Sequence, residues 1–193
     1  MIKLLFFIAF LMSLGFTTNA QIERTKLLDV WHDTELNFWY GDVVYNEVWG
    51  FVHNGEEYGV IGHKLGTTVC KITNDDKLAH VQTFRGSAIE EWTVIHRDYH
   101  DYNGYLYEVC DQSTSTLRIY DLQYLPDSLH IVYDSDDLIL RCHNIFIDSS
   151  SALLYACGMT DGIESYAMRV YSLADPINPQ LVYTYPFVDY VHD

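Results

Sequence analysis

After an apolar opening stretch, the chain alternates between apolar and polar residues in short runs. Val69-Cys70-Lys71-Ile72, Leu117-Arg118-Ile119-Tyr120 and Met168-Arg169-Val170-Tyr171 show the pattern. A period of two sends successive side chains to opposite faces of a pleated strand. No later stretch holds a helical period over about eleven residues or more. Tyr, Val, Ile, Thr, Phe and Trp are abundant, and they suit a half-buried pleated surface. The pattern predicts an all-β chain.

The strands recur with a period near 48: Tyr58 to Gly62, Leu106 to Cys110 and Leu154 to Gly158 align. The next strands align as Val69 to Thr73, Ile119 to Gln123 and Val170 to Ala174. Outer strands follow at Leu78 to Phe84, Leu129 to Tyr133 and Leu181 to Tyr185. Incoming first strands are expected at Glu47 to His53, Glu91 to Asp98 and His143 to Asp148. Each feeds a hairpin, at Asn54-Gly55, Asn103-Gly104 and Ser149-Ser150. Asn-Gly is favoured because both central residues of a type I′ turn need positive φ. Four short strands in a unit of 40 to 50 residues indicate a propeller blade. The expected fold is a partial β-propeller of four-stranded antiparallel blades.

The ends sharpen that expectation. Residues 1–20 combine Lys3, an apolar run from Leu4 to Leu14 and small residues up to Ala20. That is the pattern of a secretory signal peptide cut after Ala20. Residues 21–45 form an N-terminal segment in which Lys26 to Trp31 resembles a fourth strand. Blades follow at about 46–88, 89–138 and 139–187, and residues up to Asp193 read as a fourth blade cut short. The N-terminal strand would then complete a last blade beyond Asp193. A four-bladed ring closed within the chain is the alternative. The formal charge is −16, which disfavours nucleic acid as a partner and suits cations. No later segment is apolar enough for a membrane helix. The expected location is secreted or at the cell surface.

Candidate chemistry gathers where first strands begin. Trp49, Trp92, His143 and His192 are expected at similar positions in successive units, facing the central channel as ligand-binding side chains. Glu47, His143, His192 and Asp193 could hold a divalent metal ion, because imidazole nitrogen and carboxylate oxygen ligate first-row ions. Backbone hydrogen bonds locking blade to blade are the plainer role for the two histidines. A hairpin centred on Ser149-Ser150 would place Cys142 opposite Cys157. Such a pair can form a disulfide, or pack as two small buried hydrophobes. Cys70 and Cys110 are expected as core thiols. Asp134-Ser135-Asp136-Asp137 lacks the glycine and terminal glutamate of a calcium loop, so it reads as a solvated loop. No GxSxG, HExxH, P-loop or GxGxxG motif is present. Exposed aromatics offer a platform for a carbohydrate, peptide or protein partner.

Several motifs carry a family resemblance. Leu27-Leu28-Asp29-Val30-Trp31-His32-Asp33 resembles an "LLxxWxD" segment, and Tyr45-Asn46-Glu47-Val48-Trp49-Gly50 a "YNDVWG" motif. His143 to Asp148 is similar to "HNIFID", and Tyr190 to Asp193 to "YVHD". These are motifs of the choice-of-anchor B family, bacterial surface proteins with LVIVD-type propeller repeats. The resemblance covers residues 25–193 and departs from the family in having Glu47 where Asp is usual. It implies an exported propeller that continues past Asp193 to a sorting segment. The functional expectation is a binding or interaction module. The alternative is a metal-dependent extracellular enzyme with its site at the channel mouth.

Overall fold

A computed structural model describes residues 26–34, 36, 44–86 and 96–192. Residues 1–20, Trp92 and Asp193 lie outside them, and with them the expected signal peptide, one channel ring and one metal ligand. The described residues contain strands and turns and no helix.

Twelve strands form three sheets. The first sheet holds β1 (Tyr45–His53), β2 (Glu56–His63), β3 (Gly66–Ile72) and β4 (Leu78–Arg85). The second holds β5 (Arg97–Tyr102), β6 (Tyr105–Cys110), β7 (Leu117–Asp121) and β8 (His130–Ser135). The third holds β9 (Arg141–Asp148), β10 (Leu153–Thr160), β11 (Ser165–Ser172) and β12 (Gln180–Tyr185). Each sheet is antiparallel with neighbours in chain order, which is a propeller blade. β5 packs against both β1 and β9, so the first strands form the inner wall.

Two turns match their sequence signal. Asn54 and Gly55 have φ of 52° and 80°, and Asn103 and Gly104 have 50° and 84°. The third turn is longer than expected. Asp148 pairs with Leu153, so four residues, 149–152, make it, with Ala152 at φ 54°. That shift by two corrects the cysteine pairing. Cys142 faces Met159 and Cys157 faces Asn144, and both cysteines are free thiols. The Cys142 thiol instead donates to the Asn144 carbonyl at 3.2 Å and the Cys157 carbonyl at 3.3 Å.

The second first strand also differs from expectation. A two-residue turn at 103–104 leaves the strand running up to Tyr102, so β5 covers Arg97–Tyr102 and ends four residues beyond the expected Asp98, while Glu91 to Ile95 lie outside the described residues. The described stretch 26–33 of the N-terminal segment is not a regular strand. It is tied to the start of β4, where Asp29 Oδ2 accepts the Leu78 N–H at 3.0 Å.

Each outer strand carries a bulge at the same place. Val81, Val132 and Val182 have no partner across the ladder, while their neighbours do. A bulge twists an exposed edge away from pairing with another chain.

Two cores seal the blades together. Between the first and second blades pack Phe51, Tyr58, Val69, Tyr99, Leu106 and Tyr120. Between the second and third pack Tyr107, Ile119, Ile145, Leu154, Ala156 and Tyr171. β6 shows the consequence. Leu106 joins one core and Tyr107 the other, so every residue from Leu106 to Cys110 is buried.

The first interface also buries an ion pair. Arg97 Nη1 donates to Glu108 Oε1 at 2.9 Å, with the two side chains 0% and 3% exposed. Thr67 Oγ1 donates to Glu108 Oε2 at 2.8 Å, and the Tyr120 hydroxyl donates to the same oxygen. Tyr99 and Thr67 share a hydroxyl contact of 2.8 Å. Gly86 makes room for the guanidinium, since a Cβ there would fall 2.1 Å from Arg97 Nη2. Burial, and then the Glu108 charge, push the Tyr99 and Tyr120 hydroxyls well above their ordinary range.

Two predictions follow from this packing. Glu108→Ala strands a buried guanidinium and should cost about 3–5 kcal/mol in urea unfolding. The Arg97→Met/Glu108→Leu pair should recover most of that loss; equal losses in both would refute the account. Denatured, unreduced protein should take up four alkyl groups per chain, one at each free thiol. Uptake of two would restore the disulfide.

Candidate functional site

The three inner strands touch through side chains. Asn46 Oδ1 accepts the Arg97 N–H at 3.0 Å, so β1 caps β5. Asp98 Oδ2 accepts the Ile145 N–H at 2.5 Å, so β5 caps β9. Asp98 is buried, and burial pushes its pKa up to about 6 against the Ile145 and Tyr99 N–H bonds, which pull it down. Glu47 and His143 are close enough to act on that carboxyl, in opposite senses.

Ladder partners show which inner positions correspond. Trp49 faces Val60, Tyr99 faces Glu108 and Ile145 faces Ala156. Trp49 therefore corresponds to Tyr99 and Ile145, and His143 lies two residues before that position. The expected equivalence of Trp49 with His143 is corrected. The longer third turn produces the offset.

Trp49 belongs to an aromatic row across the blades. Its indole Nε1 donates to Asp101 Oδ1 at 2.8 Å, and its ring lies 4.4 Å from His100 at 35°. His100 meets Phe146 edge-on at 5.5 Å, and Phe146 lies 6.3 Å from Tyr155. Phe146 is 56% exposed.

His143 and His192 come together as expected. Their Nε2 atoms are 2.9 Å apart and their ring centres 4.2 Å. His143 Nδ1 lies 2.7 Å from Asp111 Oδ2, at the end of β6. Tyr190 lies over Gly158, whose added Cβ would sit 2.8 Å from the tyrosine ring. Asp111, Gly158, Asp189 and Tyr190 line an open groove of about 200 Å³ beside this cluster.

Glu47 does not join the histidines. It is the bulged residue of β1, at φ 54°, and its Oε1 accepts the Val48 N–H at 3.1 Å. Its carboxylate thus serves the bulge's own backbone. No set of three or more His, Cys, Asp or Glu side chains among the described residues is arranged around a metal position. The acidic loop is engaged by Arg118, whose Nη2 meets Asp134 Oδ2 at 2.7 Å.

Sequence reasoning missed Asp98, Asp111, His100 and the Arg97–Glu108 pair. The available signal was a charge at a core-facing position. Glu108 occupies the place that Val60 and Ala156 take in the other blades.

No family model matches the chain, and no curated protein matches it. Among solved structures, the fold is similar to one described as a 6-phosphogluconolactonase from Bacteroides fragilis, at TM-score 0.55 and 12% identity. That match covers 72% of this chain and 37% of that one, so the chain spans a little over a third of its length. An exo-β-1,3-galactanase from Phanerochaete chrysosporium matches at TM-score 0.41 and 11% identity, over 70% of this chain and 34% of that one. An α-L-arabinofuranosidase from Lactobacillus brevis matches at TM-score 0.41 and 12% identity, over 74% and 57%. The first likeness shows the fold alone, and the other two are too low to carry an argument.

Asp98 yields a pH prediction. Its folded pKa of about 6 lies above the ordinary 3.8, so the folded state holds the proton more tightly. The resulting destabilisation is full above pH 6 and is relieved as pH falls from about 6 to 4. Asp98→Asn keeps an acceptor for the Ile145 N–H without the buried charge. It should therefore gain stability over the parent at pH 7, by up to about 3 kcal/mol, and lose that advantage near pH 4. Urea unfolding at both pH values checks this, and a constant difference would refute it.

Proposed function

We propose that this chain is part of an exported, cell-surface binding module that takes a carbohydrate along its inner wall. The N-terminal apolar run and the choice-of-anchor B motifs support export to a bacterial surface. The observation that carries the binding reading is the row Trp49, His100 and Phe146, which crosses three blades with Phe146 largely exposed. Aromatic faces pack against the C–H surfaces of sugar rings, while Asp101 and His100 offer polar groups beside them. A row built on three strands is held rigidly, which limits the entropy lost on binding.

A second reading, an extracellular enzyme at the channel mouth, draws on Asp111 and His143. A carboxylate on Nδ1 leaves Nε2 with the lone pair that a general base requires.

Glycan and peptide arrays test the first reading. The parent should bind polysaccharide, and Phe146→Ala should weaken binding at least tenfold without lowering the melting temperature. Binding to peptides alone, or sugar binding untouched by both Phe146→Ala and Trp49→Ala, would overturn it. His143→Ala separates the readings. It should leave array binding intact, whereas the enzyme reading requires it to abolish hydrolysis of aryl glycosides or aryl esters.

A further inference from the structure

The geometry points to a binding site for a divalent ion of tetragonal preference, Cu²⁺ or Ni²⁺, at His143 and His192. The Nε2 atoms lie 2.9 Å apart, with ring centres 4.2 Å apart and planes at 59°. An in-line N–H···N bond of that length would hold the ring centres about 5 Å apart. Two nitrogens each about 2.05 Å from one ion and at a right angle lie about 2.9 Å apart, with ring centres about 4.5 Å apart. The observed rings are closer to this second arrangement. Such a spacing is what two adjacent ligands of a square-planar or octahedral ion have.

The surroundings support the same reading. Asp111 Oδ2, at 2.7 Å from His143 Nδ1, holds the ring proton there and turns the Nε2 lone pair outward. A ligating histidine usually donates its other N–H to such a carboxylate. The His143 side chain is 27% exposed and His192 is exposed, so an ion can reach them. The net charge of −16 raises the local concentration of cations. Among the described residues no third His, Cys, Asp or Glu joins the pair, so the inference rests on the two imidazoles. The inference depends on neither sugar binding nor turnover.

Copper titration of the full chain, read by electron paramagnetic resonance and calorimetry, tests it. One Cu²⁺ per chain should bind with hyperfine coupling to two imidazole nitrogens. His192→Ala and His143→Ala should each weaken binding at least tenfold and leave at most one coupled nitrogen. Asp111→Asn should weaken it by about tenfold through the lost second contact. His130→Ala, on the outer strand β8, is the control for the remaining histidines. Circular dichroism of the metal-free variants tests folding, and exposed His192 keeps the test open if His143→Ala misfolds. Copper bound equally by His192→Ala and the parent, or no coupling to two nitrogens, would reduce the pair to a bent hydrogen bond and overturn the inference.

Discussion

The inner strand of each blade is a sheet edge, and satisfying that edge organises the molecule. β1, β5 and β9 pair on one side only. Among the described residues, no backbone ladder joins one blade to the next. Side chains bridge the gap instead. Asn46 reaches the Arg97 N–H, and Asp98 reaches the Ile145 N–H. A buried N–H left alone costs about 1–3 kcal/mol, so each bridge favours one blade spacing and one register. The same need puts a carboxyl into a buried seam, where its ionised form is disfavoured.

The two seams solve the remaining packing differently. The seam between the second and third blades is apolar, built on Ile119, Ile145 and Leu154. The seam between the first and second mixes apolar contacts with the Arg97–Glu108 pair and its hydroxyl partners. A buried ion pair adds little net stability, because desolvation offsets most of its Coulomb energy. It does penalise every arrangement that leaves either charge alone. One seam thus supplies apolar burial, and the other restricts which surfaces can meet.

Much of this fold was legible in the chain, and the gaps have physical causes. The repeat and the two Asn-Gly hairpins were readable because period and positive φ both leave local marks. The four-residue turn at 149–152 was not, since serines specify no single turn length. One misread turn moved the cysteine register by two residues. The end of β5 was misread because the polar Arg97-Asp98 are buried by partners distant in sequence. The bulges at Val81, Val132 and Val182 pass for unbroken alternation. The meeting of His143 and His192 was legible from the repeat alone, and the Asp111 contact needed the β6 terminus placed in space.

The candidate chemistry is a consequence of how the seams end. Side chains of an inner strand alternate around its bridged N–H: on β9, Ile145 and Ile147 enter the core and Phe146 between them does not. Phe146 follows the capped Ile145 directly and points outward, while His143 precedes it by two residues beside Asp111. Glu47 holds its left-handed conformation in the first blade one residue after the bridging Asn46. His100, His143, Phe146 and the Glu47 bulge thus lie within two residues of a seam bridge. A rigid seam fixes neighbouring side chains without a loop, and that is the condition under which weak individual contacts can select a ligand. On the inner wall, blade attachment has already met the entropic cost of ordering these side chains.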